Sequence, residues 1–470
     1  MNLETLTIRE ARRALDAKEY TAHALAAAFL ERIEKMNPEL HAYLEVFDDV
    51  LKQADAADAR IQQGESAPLL GIPLAIKDNI LIKGKRVSAA SKILEGYVAP
   101  YNAHVIERLI AQGAVFLGRT NMDEFAMGGS TENSAFGRTM NPHDASRVPG
   151  GSSGGSAAAL AAHLCLGALG TDTGGSIRQP AALCGIVGMK GTYGSVSRFG
   201  AIAMGSSLDQ IGPFGKNTAD TYILFDAIQG HDPRDATSLP DRALSTKQPK
   251  VIGVPRAFLA EGTDPDVLAR FEESLTALKA AGYDIRDIEL PAIPHSLAVY
   301  YIVMPAEAST NLARFDGVRF GLAVPGEHVL DTYKKTRGQG FGKEVRRRIL
   351  IGTYVLSSGY VDAYYRKAEA VRALIKDDFA RAFAEVDVIA TPTSPTPAFK
   401  AGEKEDPLAM YAADIFTVPV NLAGIPGLSV PMGTVARDDA ALPVGIQFMA
   451  AHGNEQALFT VGAAIEAAML

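Results

Sequence analysis

Apolar segments of strand length alternate with long helical segments along this chain, and this alternation is the strongest constraint on its fold. HVIERLIAQG is typical of a helix ended by glycine, AVFLGRT of the strand after it, and KVIGVPR, YDIRDIEL and VDVIATPT of further strands between helices. Such alternation favours helices packed on the faces of a largely parallel or mixed sheet. We therefore predict an α/β fold in α/β/α layers with a central twisted mixed sheet.

The first 65 residues predict a helical layer packed on this sheet. Thr7 and Glu10 match a capping box, and apolar residues recur at helical spacing at Ala22, Leu25, Ala26, Phe29 and Ile33. We expect a core in residues 66–220 and the rest of the sheet in residues 221–470. Because the chain has no internal repeat and no low-complexity linker, we expect one domain over residues 1–470.

Composition excludes several classes of protein. Apolar residues make up 47% and charged residues 21%, as in a globular protein, and the formal net charge of −8 argues against a dominant nucleic-acid or membrane footprint. Only Cys165 and Cys184 are present, so neither a disulfide framework nor a cysteine zinc site is expected. The start of the chain lacks the apolar core of a signal peptide, and no run of about 18 apolar residues follows. We expect a cytoplasmic protein.

Residues 150–200 hold 13 of the 44 glycines, around the serine-bearing stretches GGSSGGS and TDTGGSIRQP. A phosphate-binding loop is disfavoured because Gly191 separates Lys190 from Thr192 in GIVGMKGT. Ser153 satisfies the G-x-S-x-G pattern of a nucleophile elbow, but SRVPG offers no strand before it. Neither pattern accounts for both serine sites.

A third interpretation joins the two serine sites to a lysine. A serine hydroxyl needs a base, and Lys77 at the end of LLGIPLAIK can act as one if burial lowers its pKa. The residues alone leave other interpretations open. Lys77 fits a strand-end lysine that reaches solvent, and the serines fit helix caps, Ser152 and Ser153 before SAAALAAHLC and Ser176 before IRQPAAL.

The segment PGGSSGGSAAALAAHLCLGALGTDTGGSIRQPAALCGIVGMKGTYG resembles the amidase signature family. The resemblance implies that family's layered fold and its Ser-cisSer-Lys triad, with Lys77 as base, Ser152 as proton relay and Ser176 as nucleophile. It also implies a cis peptide between Gly151 and Ser152.

The same resemblance assigns roles to the neighbours of the triad. Backbone amides of Thr173, Gly174, Gly175 and Ser176 are expected to bind the oxyanion. Ser153, Asp172 and Arg178 are expected to support these loops, with a structural salt bridge as the simpler interpretation of the last two.

Segments outside the signature, among them TNMDEFAMGGSTENSAFGRTMNP and GFGKEVRRRILIGTYVLSSGYVDAYY, are similar to the glutamine-hydrolysing branch of the family. This similarity implies that Arg348 binds the substrate carboxylate, that Asp414 binds the ammonium, and that Tyr300 lies nearby. Tyr301, Arg346 and Arg347 remain alternatives by one residue, although a solvated helix face is the expectation for the two arginines. Residues 127–130 are expected to line the amide end of the pocket.

That branch supplies ammonia within tRNA-dependent amidotransferases, so the resemblance implies B and C partner subunits in a heterotrimer. Glutamine is the expected substrate, and misacylated tRNA is expected to contact mainly the partner. No metal or organic cofactor is expected in this chain, since ATP and Mg²⁺ belong to the partner. Two alternatives remain: a stand-alone amidase for small aliphatic or aryl amides, and a non-enzymatic scaffold in which Lys77 lies far from Ser152.

Overall fold

The computed structural model describes residues 1–240, 248–259 and 262–469, and within these residues eleven strands form one mixed sheet. The sheet order is β1-β3-β2-β4-β6-β5-β10-β11-β9-β7-β8. The strands are β1 (Tyr43–Val46), β2 (Pro73–Lys77), β3 (Val115–Thr120), β4 (Gly167–Asp172), β5 (Val187–Lys190), β6 (Gln210–Gly215), β7 (Val251–Val254), β8 (Asp284–Asp287), β9 (Val388–Pro392), β10 (Gly427–Arg437) and β11 (Ala440–Ala450).

The strand directions confirm the mixed sheet that the sequence predicts. Strand β2 runs parallel to β3 and β4, and β7 runs parallel to β8 and β9. The remaining pairs are antiparallel, and β10 and β11 form a long hairpin between the two parallel groups. Helical crossovers join the parallel strands, which is why helices flank the sheet.

Helices of four to nineteen residues connect and cover the strands. They are α1 (Ile8–Asp16), α2 (Ala22–Leu40), α3 (Val50–Gln62), α4 (His104–Ala111), α5 (Gly154–Ala161), α6 (Arg178–Cys184), α7 (Thr218–Ile228), α8 (Arg256–Leu259), α9 (Pro265–Ala280), α10 (Ser296–Asn311), α11 (Val329–Gly340), α12 (Lys343–Val355), α13 (Lys367–Glu385), α14 (Pro407–Tyr411), α15 (Val418–Ala423) and α16 (Glu455–Met469). Among the helices described, none combines the length and the apolar composition that crossing a membrane requires.

The N-terminal segment contains the predicted helices and one strand that the sequence did not predict. The capping box is present, since the Thr7 side chain accepts from the Glu10 amide and the Glu10 carboxylate accepts from the Thr7 amide. Helix α2 ends at His41 in the left-handed region, and Asn37 then bonds to both backbone groups of Tyr43. This turn directs β1 onto the sheet edge, antiparallel to β3. The prediction of helix throughout residues 1–65 was therefore wrong at β1, which is too short for a clear periodic pattern.

The fold brings the predicted catalytic segments to one edge of the sheet, the edge formed by the carboxyl ends of strands β2 and β4. Strands β2 and β4 are parallel neighbours and buried along their whole length, and they end at Lys77 and Asp172. Ligand sites in such sheets lie outside the carboxyl ends of the strands. Residues 150–153 lead into α5, and residues 173–177 join β4 to α6, so both serine loops lie near this edge.

Candidate functional site

Lys77 is fully buried and lies among three hydroxyl groups. Its Nζ is 2.8 Å from Oγ of Ser152, Oγ of Ser153 and Oγ1 of Thr171. Burial lowers the pKa of the Lys77 ammonium to about 7, although the charges of nearby aspartates raise it. A solvent-reaching lysine and a scaffold with a remote Lys77 are both contradicted by this geometry.

The peptide between Gly151 and Ser152 is cis, as the resemblance implies. Ser152 is fully buried and its carbonyl accepts from the Asp123 amide at 3.1 Å. The hydroxyl of Ser153 donates to the carbonyl of Thr171 at 3.1 Å and therefore acts as an acceptor toward Lys77. Ser153 occupies the N-cap position of α5 without a capping side-chain bond, so the cap interpretation of its hydroxyl is wrong.

Ser176 lies in the turn between β4 and α6 and is 8% exposed. Helix α6 has Ile177 as its N-cap, with no side-chain cap, so the interpretation of Ser176 as a cap is also wrong. A hydrogen bond between Ser176 and Ser152 is not present among the described residues. The structure therefore joins Ser152 directly to Lys77, and places Ser176 on the neighbouring loop.

The turn carries backbone amides that remain free for an anion. Among the described residues, the amides of Thr173, Gly174 and Ser176 donate to no protein acceptor. The Gly175 amide differs, because it donates to Oδ1 of Asp172 at 2.8 Å. The expectation of four free amides is corrected to three, since the Gly175 N–H is already bonded to the aspartate.

Asp172 and Arg178 form a buried ion pair, with each side chain 0% exposed. Two bonds of 2.9 and 3.0 Å join the guanidinium to the carboxylate, which also accepts from the amides of Gly175 and Ile177. Burial raises the pKa of Asp172, but the charge and hydrogen bonds of Arg178 outweigh it and lower the pKa to about 2. The pair therefore stays charged at neutral pH and holds the Ser176 turn.

Arg348 is enclosed by two aromatic rings and one carboxylate. Its guanidinium lies 5.2 Å from the ring centre of Tyr301 and 5.1 Å from that of Tyr411. Nε donates to Glu344 at 2.7 Å, and the Tyr411 hydroxyl donates to the same carboxylate oxygen at 3.0 Å. These contacts occupy the Nε side of the guanidinium and leave its far end available for a ligand. Among the described residues, Nη1 at that end contacts only the sulfur of Met304, at 3.8 Å.

The neighbouring arginines differ from Arg348. Arg346 is exposed, as expected of a solvated helix face, whereas Arg347 is half-buried and pairs with Glu344. Arg347 and Arg348 also line a cavity of about 460 Å³ together with Gly128, Ser130, Lys404 and Tyr411. The expectation of a solvated Arg347 is therefore corrected, because Glu344 draws it to the cavity wall.

Tyr300 connects the Ser176 turn to this arginine. A Cβ placed on Gly174 would lie 2.7 Å from the Tyr300 ring, so only glycine fits there. The Tyr300 ring meets Tyr301 edge-on at 5.0 Å, and Tyr301 in turn faces Arg348. The two tyrosines thus have different neighbours, the turn for Tyr300 and the guanidinium for Tyr301.

Asp414 is half-buried and faces the backbone of Gly129. A Cβ added to Gly129 would lie 3.8 and 3.9 Å from the two carboxylate oxygens of Asp414. Within the described part of the chain this carboxylate accepts no hydrogen bond. Burial raises the pKa of Asp414 to about 7, although Arg348 lowers it. The carboxyl group of Asp414 and the guanidinium of Arg348 are thus close enough to affect each other electrostatically.

A model of the amidase family matches residues 24–459. The chain belongs to the amidase family. The A subunit of glutamyl-tRNA(Gln) amidotransferase from Thermoanaerobacter pseudethanolicus is 52% identical over 478 residues, covering 100% of this chain and 97% of that protein.

Solved amidase structures share the fold as well. The crystal structure of the glutamyl-tRNA(Gln) amidotransferase A subunit from Thermotoga maritima is similar with a TM-score of 0.82 at 40% identity, covering 99% of this chain and 95% of that one. The peptide amidase of Stenotrophomonas maltophilia also has a TM-score of 0.82, at 30% identity over 99% of this chain and 97% of that one. These similarities confirm the predicted α/β architecture.

Several side chains of this amidase site were missed by sequence reasoning. Gln179 accepts from the Gly151 amide at 3.0 Å and donates to the Gly129 carbonyl at 2.9 Å, which joins the two serine loops to residues 127–130. Thr171 binds Lys77 and Asn79 through its hydroxyl. Thr171 and Gln179 lie beside Asp172 and Arg178, so proximity to the signature was the available signal. No three His, Cys, Asp or Glu side chains in the described ranges are grouped as a metal site requires.

Replacing Arg178 by Met should destabilise the protein, because it leaves Asp172 as a buried, unpaired carboxylate. We expect a loss of about 3–5 kcal/mol, measured as a lower midpoint of urea unfolding. Since the pKa of Asp172 is lowered to about 2, the pair's contribution is present above the ordinary aspartate pKa of 3.8 and is lost as the pH falls toward 2. The variant lacks the charge that lowers the pKa of Asp172, and burial then raises that pKa, so the difference between wild type and variant should be largest at pH 8 and decrease as the pH falls and Asp172 of the variant takes up a proton.

Arg256→Met is the matched control, because Arg256 pairs with Glu272 and Asp287 at the surface. The Arg256→Met variant should lose less than about 1 kcal/mol of unfolding free energy. Equal losses in the two variants would contradict the role assigned to the buried pair.

Proposed function

We propose that this amidase is the glutaminase subunit of a tRNA-dependent amidotransferase. It hydrolyses the side-chain amide of glutamine and supplies ammonia to a partner subunit that amidates Glu-tRNA(Gln), with Asp-tRNA(Asn) as a further candidate. The identity of 52% to the A subunit of a glutamyl-tRNA(Gln) amidotransferase, over the full length of this chain, supports the proposal.

The observation that carries the choice of glutamine is the arrangement of Arg348. Glu344 occupies its Nε side and two tyrosine rings lie 5.1 and 5.2 Å from the guanidinium, so its free end is available for two parallel bonds to a carboxylate. Asp414 then provides the anion for an α-ammonium. A simple amide carries neither group, whereas glutamine carries both.

The hydrogen bonds around Lys77 support its role as the base. A neutral amine has two N–H donors and one lone pair. Ser153 accepts one N–H, since its own proton is donated to the Thr171 carbonyl, and the Thr171 hydroxyl accepts the other. The lone pair is left for the hydroxyl proton of Ser152, the third group at 2.8 Å.

The reaction then follows a two-step acyl transfer. Ser176 attacks the amide carbon and passes its proton to Ser152, whose proton goes to Lys77. The amides of Thr173, Gly174 and Ser176 stabilise the oxyanion. Lys77 returns the proton through Ser152 to the leaving nitrogen, ammonia departs, and water hydrolyses the γ-glutamyl ester by the same relay.

The division of labour within the complex is part of the proposal. The B and C subunits complete a heterotrimer, and ATP, Mg²⁺ and most contacts to the misacylated tRNA belong to the partner. The net charge of −8 of this chain is in keeping with that division. Its own chemistry uses side chains and backbone amides without a metal or an organic cofactor.

Ser176→Ala should abolish ammonia release from glutamine, with a decrease of at least about 10³-fold, because the nucleophile is lost. Ammonia is measured for the full chain with and without the B and C subunits. Ser309→Ala is the control, because this α10 hydroxyl donates to the Ala306 carbonyl of its own helix, and the variant should retain wild-type turnover. Turnover by the Ser176 variant at the wild-type rate would reject the assigned nucleophile.

Arg348→Lys should raise the KM for glutamine roughly 10- to 100-fold, because a hydrogen bond to a charged group contributes about 1.5–3 kcal/mol. Butyramide is glutamine without its two α substituents. The kcat/KM of Arg348→Lys for butyramide should therefore equal that of wild type. Arg346→Lys, at the exposed position, is the matched control. A wild-type preference for butyramide over glutamine would instead indicate a stand-alone amidase.

The pH dependence of kcat/KM on butyramide should report Lys77. Activity requires the neutral amine, so it should decrease about tenfold per pH unit below a pH of about 7 and be constant above it. Butyramide is the substrate of choice because it lacks the ammonium that Asp414 binds, so titration of Asp414 does not enter. A flat profile down to pH 5 would contradict Lys77 as the base.

A further inference from the structure

Asp123 and Glu124 are adjacent buried carboxylates, and they contact the Ser152 loop and the start of α12, respectively. They are 0% and 2% exposed and follow β3 in the segment TNMDEF. The proposed reaction assigns no role to either residue. Two consecutive buried acids require partners, because an isolated buried carboxylate is costly.

Asp123 is bonded to the loop that carries Ser152. Its amide donates to the Ser152 carbonyl at 3.1 Å, and a Cβ on Gly151 would lie 2.1 Å from its Oδ2. The same carboxylate accepts from the amides of Thr131 and Asn133 at 2.9 and 3.2 Å. Asp123 therefore holds the cis-peptide loop against residues 128–133.

Glu124 is bonded to the start of the helix that carries Arg348. Its Oε2 accepts from the amide of Gly342, the N-cap of α12, at 2.7 Å, and its Oε1 accepts from the Ser91 hydroxyl. A Cβ on Gly342 would lie 2.3 Å from Oε2, so the carboxylate is in close contact with the helix terminus. A carboxylate at a helix N-terminus stabilises that end of the helix.

We propose that Asp123 and Glu124 are a pair of positioning residues that join the proton relay to the substrate clamp. Asp123 holds the Ser152 loop and supplies a negative charge to Lys77, and Glu124 anchors α12 and thereby Arg348. This inference rests on the proposed function for the Arg348 half, whereas the Asp123 half concerns amide hydrolysis of any substrate.

Three carboxylates, Asp123, Asp172 and Asp209, face Lys77 and favour its ammonium. Asp172 is neutralised by Arg178. Asp209 binds the Thr173 hydroxyl and lies near Arg198. Asp123 forms no ion pair with an arginine in the described ranges, so its charge acts most directly on Lys77. Burial raises the pKa of Asp123 to about 6, so the carboxylate is charged above pH 7.

The first test is Asp123→Asn, assayed with butyramide from pH 5 to pH 9. Loss of the charge should lower the pKa of Lys77 and shift the acid limb of kcat/KM to lower pH by roughly one unit. A role confined to folding would reduce the rate at every pH without moving the limb. Asp123→Ser is the second variant if the Asn protein does not fold, and kcat at saturating glutamine replaces butyramide if butyramide is not hydrolysed.

The second test is Glu124→Ala. This variant should raise the KM for glutamine about tenfold, because a small misplacement of Arg348 has a large effect. Its kcat/KM for butyramide should equal that of wild type. Glu124→Gln keeps an acceptor for the Gly342 amide and should restore the KM to within about threefold of wild type. Ser91→Ala, which removes the other bond to Glu124, should raise the KM in the same direction. Glu273→Gln, an exposed pair partner of Arg270, is the control.

The outcomes separate this inference from the proposed function. An unmoved acid limb in the Asp123 variants, together with equal effects of Glu124→Ala on glutamine and butyramide, would overturn the inference alone. If the wild-type protein hydrolyses butyramide but not glutamine, the proposed glutaminase function is rejected. The role of Asp123 would still be tested by the pH profile of butyramide hydrolysis. A shifted limb with a glutamine-specific KM effect supports both.

Discussion

The buried pair of Asp172 and Arg178 is the interaction on which the rest of the site depends. The carboxylate binds two amides of the Ser176 turn, and the guanidinium reaches Gln447 on β11 and the Thr417 carbonyl before α15. One ion pair thus ties the end of β4 to the opposite half of the sheet. Because it is fully desolvated, removal of either partner leaves an uncompensated charge, so the turn and the sheet are stabilised together.

Lys77 and Asp172 show how the same burial produces opposite outcomes. Asp172 meets a cation and several N–H donors and remains charged, whereas Lys77 meets neutral hydroxyls and its pKa decreases to about 7. The difference lies in the partners. A base that is neutral near physiological pH therefore coexists, at one edge of the sheet, with an ion pair that does not titrate there.

Sequence reasoning succeeded where a local pattern carried the information. The alternation of segments predicted the mixed α/β sheet, and the capping box at Thr7 is present. It failed at β1, whose four residues have no clear period, and at Gly175, whose amide is bonded to the Asp172 side chain. Gln179, Asp123 and Glu124 lay in quoted segments, but each also bonds to a group distant in the chain, such as Gly129, Ser152 and Gly342, respectively, so these contacts were not visible.

By itself, the sequence determined the fold class, the family and the residue types of a lysine and two serines, because periodicity and a dense motif are local properties. Only the tertiary structure decided that Lys77 is enclosed rather than solvated, that three amides rather than four remain free, and that Arg348 rather than Arg346 is enclosed by aromatic rings. Each of these depends on groups brought together from remote segments. Burial and electrostatics are properties of the assembled environment, and no single segment of the chain contains them.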